Sequence, residues 1–126
     1  MTEIPETMTA VVQTGDGYAG TSTGPAIADA ALHLEYARLP VPRPEQGQVL
    51  IRMRMASVNP SDLHFIKGEY GQPRIKGAPA GFEGCGDVVA TGDGAESLQG
   101  RRVAFVVTVP TSGAWAEYAV TSAQTC

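Results

Sequence analysis

The chain has 126 residues, of which 43% are hydrophobic and 17% are charged, and its formal net charge at neutral pH is −4. This length fits one compact domain, and the apolar content is sufficient for one hydrophobic core. The negative net charge gives no electrostatic attraction toward a polyanion, so we expect no nucleic acid partner.

The chain carries no sequence signal for a membrane or for secretion. Its apolar runs fall well short of the roughly 20 residues that cross a bilayer, and its start lacks the basic-then-apolar order of a secretory signal. We therefore expect no membrane association and a cytoplasmic location. The two cysteines, Cys85 and Cys126, are too few for a disulfide framework or a four-cysteine zinc site.

Short β-branched runs separated by glycine and proline indicate a mainly β fold. Strands are predicted at residues 9–14, 32–38, 48–58, 87–91, 102–109 and 115–120. Residues 61–67 predict a helical turn with Ser61 as its N-cap. The proline-rich residues 39–44 predict an extended connector outside the ladders, since proline lacks the N–H donor. These elements together predict a small, partly open β-barrel with one or two short helices.

The clearest strand pattern lies at residues 48–58. Apolar Ile51, Met53 and Met55 alternate with Arg52 and Arg54. Because successive side chains of a strand point to opposite faces, this pattern predicts a half-buried strand with its apolar residues on one face.

Residues 15–25 are rich in Gly, Ser and Thr, and we expect them to form a mobile insertion. They open on G-x-G-x-x-G, the fingerprint of a dinucleotide-binding turn. That turn requires a helix beginning at the last glycine and an acidic residue about 20 positions later, at the end of a second strand. Here Thr21 to Pro25 follow the last glycine. A short helix from Pro25 to Ala31, with Glu35 as the ribose ligand, is the alternative, but no separate second strand lies between that helix and Glu35. We therefore predict a glycine-rich hairpin or loop.

Two further segments are more informative. Residues 59–70 read N-P-S-D-L-H-F-I-K-G-E-Y, and residues 81–86 read G-F-E-G-C-G. In this order they resemble the substrate-side signature of the zinc-independent medium-chain dehydrogenase/reductase family, which includes quinone oxidoreductases and enoyl-thioester reductases. Zinc-dependent relatives carry a metal-ligating cysteine where Asn59 stands and a metal-ligating histidine where Phe82 stands. The resemblance therefore implies a GroES-like barrel with no metal site and no zinc.

Local chain geometry offers an alternative explanation for the first segment. Asn59-Pro60 is a common turn opener, Asp62 suits the first turn of a helix, and Gly68 is a typical helix terminator. In the resembled family, however, the two segments face each other across the cleft that receives nicotinamide and substrate. We therefore expect them to meet in the fold.

The resemblance also implies roles for individual side chains. Asn59 would orient the carboxamide or ribose of the cofactor, and Tyr70 would be the catalytic residue, also close to the cofactor, donating a hydrogen bond to the substrate carbonyl. His64 would hydrogen-bond a cofactor ribose or phosphate. The alternatives are an exposed tyrosine on a mobile loop and a surface histidine.

Two neighbouring residues are expected to be structural. Glu83 loses the cation that balances it in the zinc enzymes, so it must find a donor in Arg52, Arg54 or a backbone N–H. Trp115 is expected in the core.

The implied reaction is the NADPH-dependent reduction of a small molecule, either a quinone or an α,β-unsaturated carbonyl compound, with an enoyl thioester as the alternative. The resemblance covers a GroES-like domain at residues 9–126, after a tail at residues 1–8, and the Rossmann domain is expected to be absent from this chain. We expect NADPH to be bound mainly by that other domain. A homodimer is one arrangement open to the full-length form. A stand-alone, non-catalytic interaction module is the alternative of another class.

Overall fold

The computed structural model describes residues 3–107 and 113–126. Its strands are β1 (Thr7–Gln13), β2 (Leu34–Pro40), β3 (Gln48–Ala56), β4 (Glu83–Thr91), β5 (Arg102–Val106) and β6 (Tyr118–Ser122). Helix α1 spans Pro60–Ile66, and three short 3₁₀ turns lie at Ala30–Leu32, Glu96–Leu98 and Ala123–Thr125. The predicted mainly β class is confirmed. None of the helices in the described residues combines the length and apolar character that a membrane span requires.

The strands form two antiparallel sheets that do not close into one ladder. One sheet pairs β1 with β2, and the other has the order β5-β4-β3-β6. Isolated bridges join β1 to the segments that precede β6 and β4, pairing Ala10 with Ala116 and Val12 with Pro79. This arrangement is a partly open β structure, as the sequence pattern predicted.

The core is centred on the first half of β3. Val49, Leu50 and Ile51 are each 0% exposed. Val49 and Ile51 pack in one apolar cluster, while Leu50 packs in a second cluster on the opposite face. Burying side chains of this size stabilises a fold by about 1.5–3 kcal/mol each.

The predicted alternation along β3 is wrong at its far end. Ile51 is buried as expected, but Met55 is 69% exposed. Strand β6 pairs only with Gln48–Arg52 of β3, and the β3–β4 register shifts between Met53 and Met55. Losing one neighbouring strand and gaining a register irregularity moves Met55 away from the core.

Two local predictions need correction. Pro40 belongs to β2, where it pairs with Thr7 at the end of the β1–β2 ladder, because a terminal strand position tolerates a missing N–H. The N-cap of α1 is Asn59 rather than Ser61, and Pro60 occupies the first helical position, where its fixed backbone angle suits a helix start.

Several strand boundaries also differ from prediction. Strand β4 begins at Glu83, four residues before the predicted start, and β6 begins at Tyr118 rather than at Trp115. Residues 108 and 109 of the strand predicted at 102–109 lie outside the described residues. The glycine-rich segment 15–25 is a loop, as predicted, with no helix beginning at Gly20.

Replacing Ile51 by alanine tests the division of β3 into a buried half and an exposed half. We expect Ile51→Ala to lower the free energy of unfolding by about 2–5 kcal/mol, because it leaves a cavity in the core. Met55→Ala is the matched control on the same strand and should change stability by no more than about 0.5 kcal/mol. Urea unfolding measures both values, and similar losses in the two variants would contradict this placement.

Candidate functional site

A single buried carboxylate joins the two predicted cleft loops. Asp62, in the first turn of α1, is 0% exposed. Its Oδ2 accepts a hydrogen bond of 2.7 Å from the backbone N–H of Asn59, and its Oδ1 accepts one of 3.0 Å from the backbone N–H of Phe82. The loop before α1 and the loop before β4 therefore meet, as expected.

Burial raises the pKa of Asp62 above its ordinary value of 3.8, and the hydrogen bonds from Asn59 and Phe82 oppose this rise. The folded protein thus holds this proton more tightly than the unfolded chain does. The contribution of Asp62 to stability is therefore greatest at low pH and decreases as the pH rises from 3.8 through the folded pKa.

Phe82 is the centre of an aromatic cluster beside this junction. Its ring centroid lies 5.0 Å from that of Phe65 and 5.6 Å from that of Tyr70, with tilted planes in both pairs. Such separations are favourable for aromatic contacts. Within the described residues, no three His, Cys, Asp or Glu side chains converge on a point that could hold a metal ion.

Tyr70 lies against Phe82 and is partly exposed. The residue is 43% exposed, and its hydroxyl forms no hydrogen bond with the residues that the structure describes. Contact with Phe82 therefore positions the phenol ring, while its hydroxyl stays free of partners among the described residues and can donate a hydrogen bond to a ligand.

Asn59 is linked to the second loop through Ser57. The Asn59 side-chain amide donates to the Ser57 hydroxyl at 3.2 Å, and that hydroxyl donates to Glu83 Oε2 at 3.2 Å. Glu83 is exposed. Its donor is Ser57 rather than an arginine, and Arg54 instead pairs with Asp87 at 2.9 Å.

His64 is half-buried in the last turn of α1. Its backbone carbonyl accepts a hydrogen bond of 2.9 Å from Glu69, and its ring makes no hydrogen bond to any described residue. The structure thus brings Asn59 and Tyr70 to the same pair of loops. Asn59 is linked to the second loop through Ser57 and Glu83, and Tyr70 is linked to it through Phe82. It shows no comparable link for His64.

Known proteins share both this fold and much of this sequence. The alcohol dehydrogenase GroES-like domain family matches residues 45–126. The chain belongs to this family. A solved structure from Mesorhizobium loti, of a protein assigned as an NADPH:quinone reductase, superposes with a TM-score of 0.94 at 50% identity, covering 99% of this chain and 37% of that one.

Curated relatives of the GroES-like domain include reductases of the medium-chain dehydrogenase/reductase family, as the resemblance implied. Prostaglandin reductase-3 of Bos taurus is 41% identical over 88 residues, which are 68% of this chain and 22% of the relative. Quinone oxidoreductase of Lama guanicoe is 38% identical over 87 residues, which are 68% of this chain and 26% of the relative. The GroES-like domain therefore spans about a quarter of these relatives' length.

Trp115 connects the site to the core. It is half-buried, packs against two apolar clusters, and donates from Nε1 to the Ser57 carbonyl at 3.1 Å. Gly81 has a φ of +93°, and a Cβ there would lie 2.4 Å from Trp115 Cδ1. The second loop can approach the indole this closely only with glycine at this position.

Sequence reasoning missed two residues of the GroES-like domain that shape the site. Asp62 carried a signal, because an acidic residue three positions after an N-cap is typical of helix starts, but nothing indicated its bond to Phe82. Gln13 carried none. It is 2% exposed, and its Oε1 has no hydrogen-bond partner in the part of the chain that the structure describes. It lines a cavity of about 40 Å³ beside Phe82, which has room for a water molecule.

Replacing Asp62 by asparagine tests the junction of the two loops. We expect Asp62→Asn to lower the free energy of unfolding by about 1–3 kcal/mol, since the amide NH₂ cannot accept from one of the two buried N–H groups. Hydrogen exchange at the Phe82 amide should accelerate in this variant. The control Asp93→Asn alters an exposed loop carboxylate and should change neither quantity. Unchanged stability and exchange in Asp62→Asn would contradict the bridging role.

Proposed function

We propose that this GroES-like domain is the substrate-side part of an NADPH-dependent oxidoreductase that reduces a quinone or an α,β-unsaturated carbonyl compound by hydride transfer. The observation that carries this proposal is the Tyr70 phenol, which packs on the Phe82 ring at the junction of the two loops. Its hydroxyl has no hydrogen-bond partner among residues 3–107 and 113–126. The names of the relatives agree with this chemistry. The activity would belong to the full-length protein that carries the domain.

The residues at the junction suit the nicotinamide end of the cofactor. Asn59 uses one amide N–H on Ser57, so a second N–H remains to orient a carboxamide or ribose oxygen. His64 is proposed to hydrogen-bond a ribose or phosphate oxygen. NADPH, when bound, would supply the hydride. A mycobacterial protein 32% identical to this chain, with a TM-score of 0.67, was solved in complex with NADPH.

Tyr70 is proposed to stabilise the charge that develops on the substrate. Hydride addition to a carbon conjugated with a carbonyl places negative charge on the carbonyl oxygen. The Tyr70 hydroxyl can donate a hydrogen bond to that oxygen, and the apolar face of Phe82 strengthens such a bond by excluding water.

The absence of zinc stays a prediction, and it rests on Asn59 and Phe82. The Phe82 ring packs between Phe65 and Tyr70, where an apolar cluster favours neither a cation nor its ligands. Without a Lewis acid, the substrate must be intrinsically activated. Quinones and enones meet this requirement, and simple alcohols do not.

An enoyl thioester is the second candidate substrate, because mitochondrial enoyl-[acyl-carrier-protein] reductase of Mus musculus is 35% identical over 71 residues, which are 56% of this chain and 19% of the relative. Comparing kcat/KM of the full-length protein for a quinone, an enone and an enoyl thioester decides among the three. A homodimer and a cytoplasmic location also stay predictions.

Tyr70→Phe in the full-length protein tests the proposed catalytic donor. This change keeps the ring contact with Phe82 and removes only the hydroxyl. We expect kcat/KM for quinone or enone reduction to fall by about 10²–10³-fold, the usual effect of deleting one oxyanion donor. Tyr36→Phe is the matched control and should leave kcat/KM unchanged, because Tyr36 is 83% exposed on β2.

Equal kcat/KM in wild type and Tyr70→Phe would remove Tyr70 from the chemistry. If the full-length protein fails to oxidise NADPH with every acceptor class tested, the proposed function itself is wrong.

Binding of NADPH to the 126-residue chain tests the division of labour between domains. We expect a dissociation constant in the millimolar range or weaker, equivalent to about −4 kcal/mol, because this domain would contact only the nicotinamide end. Isothermal titration calorimetry measures this value against the full-length protein. Micromolar affinity of the 126-residue chain would show that it holds more of the cofactor than we propose.

A further inference from the structure

The glycine-rich loop, expected to be mobile, lies along the segment that carries Tyr70. We call residues 16–26 the clamp segment and residues 66–76 the Tyr70 segment. Gly17 and Arg74 form an antiparallel bridge, with N–H donors to carbonyl oxygens at 2.9 and 3.2 Å. Ala19 N–H donates to the Gly68 carbonyl at 2.9 Å, and the Tyr18 hydroxyl donates to the Gly71 carbonyl at 3.3 Å.

A nearly buried ion pair forms the centre of this contact. Lys67 Nζ lies 3.6 Å from Glu69 Oε2, with side-chain exposures of only 11% and 3%. Glu69 accepts from the Thr21 hydroxyl at 3.1 Å, the Thr23 hydroxyl at 2.7 Å and the Gly24 N–H at 3.0 Å, and also from the Thr23 N–H. The carboxylate is therefore surrounded by donors of the clamp segment.

Lys67 completes the same network with its three N–H donors. Its ammonium group donates to the Thr23 hydroxyl at 2.6 Å, the Gly24 carbonyl at 2.7 Å and the Ala26 carbonyl at 2.9 Å. Thr23 thus accepts from Lys67 and donates to Glu69 through one hydroxyl. Both charges are compensated, which is the condition for burying an ion pair without large cost.

Between these two charged residues lies Gly68, which allows the close approach. Its φ is +80°, and a Cβ there would lie 2.7 Å from the Ala19 nitrogen. The backbone can therefore bring Lys67 and Glu69 onto the clamp segment only with glycine between them.

Arg74 secures the far end of the Tyr70 segment. Its guanidinium donates to the Gly17 carbonyl at 2.9 Å, the Asp16 carbonyl at 3.3 Å and the Ile66 carbonyl at 3.4 Å. Contacts on both sides of Tyr70 thus fix the backbone from which its ring extends to Phe82.

We propose that Glu69 is a positioning residue, which acts with Lys67 through the clamp segment to hold the Tyr70 hydroxyl in its reactive place. The inference deepens the proposed function and rests on it. The Tyr70 segment is accordingly a fixed wall of the site rather than a lid that closes over the substrate. The clamp segment supports the Tyr70 segment, a role that its glycine-rich composition did not indicate.

The Glu69 carboxylate stays ionised through the physiological pH range. Hydrogen bonds from Thr23, and further ones from Gly24 and Thr21, lower the pKa of Glu69 to about 2 from its ordinary 4.5. Its stabilising effect is therefore fully present above pH 4.5 and is lost as the pH falls toward 2.

The test uses Glu69→Gln in the full-length protein. Glutamine has nearly the size of glutamate, but its side-chain NH₂ group cannot accept hydrogen bonds from the donors of the clamp segment. We expect kcat to fall by about 10–100-fold with little change in KM, as for a displaced catalytic group. Exchange of the Gly24 and Ala19 amides should accelerate at least about tenfold, while amides of β3 stay protected. Glu96→Gln is the control, because Glu96 also accepts a backbone N–H, from Gly94 at 2.6 Å, in a distant turn.

A double-mutant cycle distinguishes positioning from general stabilisation. If Glu69 acts through Tyr70, Glu69→Gln should cost little further kcat in the Tyr70→Phe background, whereas independent effects multiply. Three results would each overturn the proposed role of Glu69. These are effects of the two substitutions on kcat that multiply, an unchanged kcat in Glu69→Gln, and unchanged hydrogen exchange at the Gly24 and Ala19 amides. If the role of Glu69 is overturned in this way but Tyr70→Phe still loses activity, the proposed function remains supported.

Thr23→Val keeps the test valid if Glu69→Gln does not fold. This change removes only the hydroxyl shared by Lys67 and Glu69. It should reduce kcat by a smaller factor than Glu69→Gln does, and this reduction should also disappear in the Tyr70→Phe background. A reduction of the same size in both backgrounds would overturn the proposed positioning role.

Discussion

The candidate site depends on one buried carboxylate that accepts from two loops. Asp62 has no access to water and binds the backbone N–H groups of Asn59 and Phe82. A buried acceptor without such donors would be costly, so the need to satisfy Asp62 brings the loops together. The ring of Phe82 then provides the surface on which Tyr70 rests.

Tyr70 is held from two directions by different interactions. Phe82 offers an apolar contact on one side, and the residue immediately before Tyr70 is bound through its carboxylate by the clamp segment. Sites whose reactive groups are supported by packed and hydrogen-bonded neighbours keep the geometry that catalysis requires. In this domain the support comes from a segment distant in sequence, since Thr23 and Glu69 lie 46 positions apart.

Much of the fold could be predicted because its signals are local. Glycine and proline spacing indicated the strands, and the alternating run that begins at Ile51 indicated a half-buried strand at β3. Asn59-Pro60 indicated the start of α1, although the N-cap was assigned to the wrong residue. The end of β3 was mispredicted because exposure of Met55 depends on where β6 stops pairing, which is a property of another strand.

By itself, the sequence determined the mainly β class, the helix position and the order of the two loops, since these follow from backbone preferences and residue types near each other in the chain. Only the tertiary structure decided which side chains share a site. It paired Asp62 with Phe82, gave Glu83 a hydroxyl donor in Ser57, and attached the glycine-rich loop to Glu69. Each of these contacts joins residues whose separation along the chain carries no periodic signal, and burial and hydrogen bonding select them only once the strands have paired.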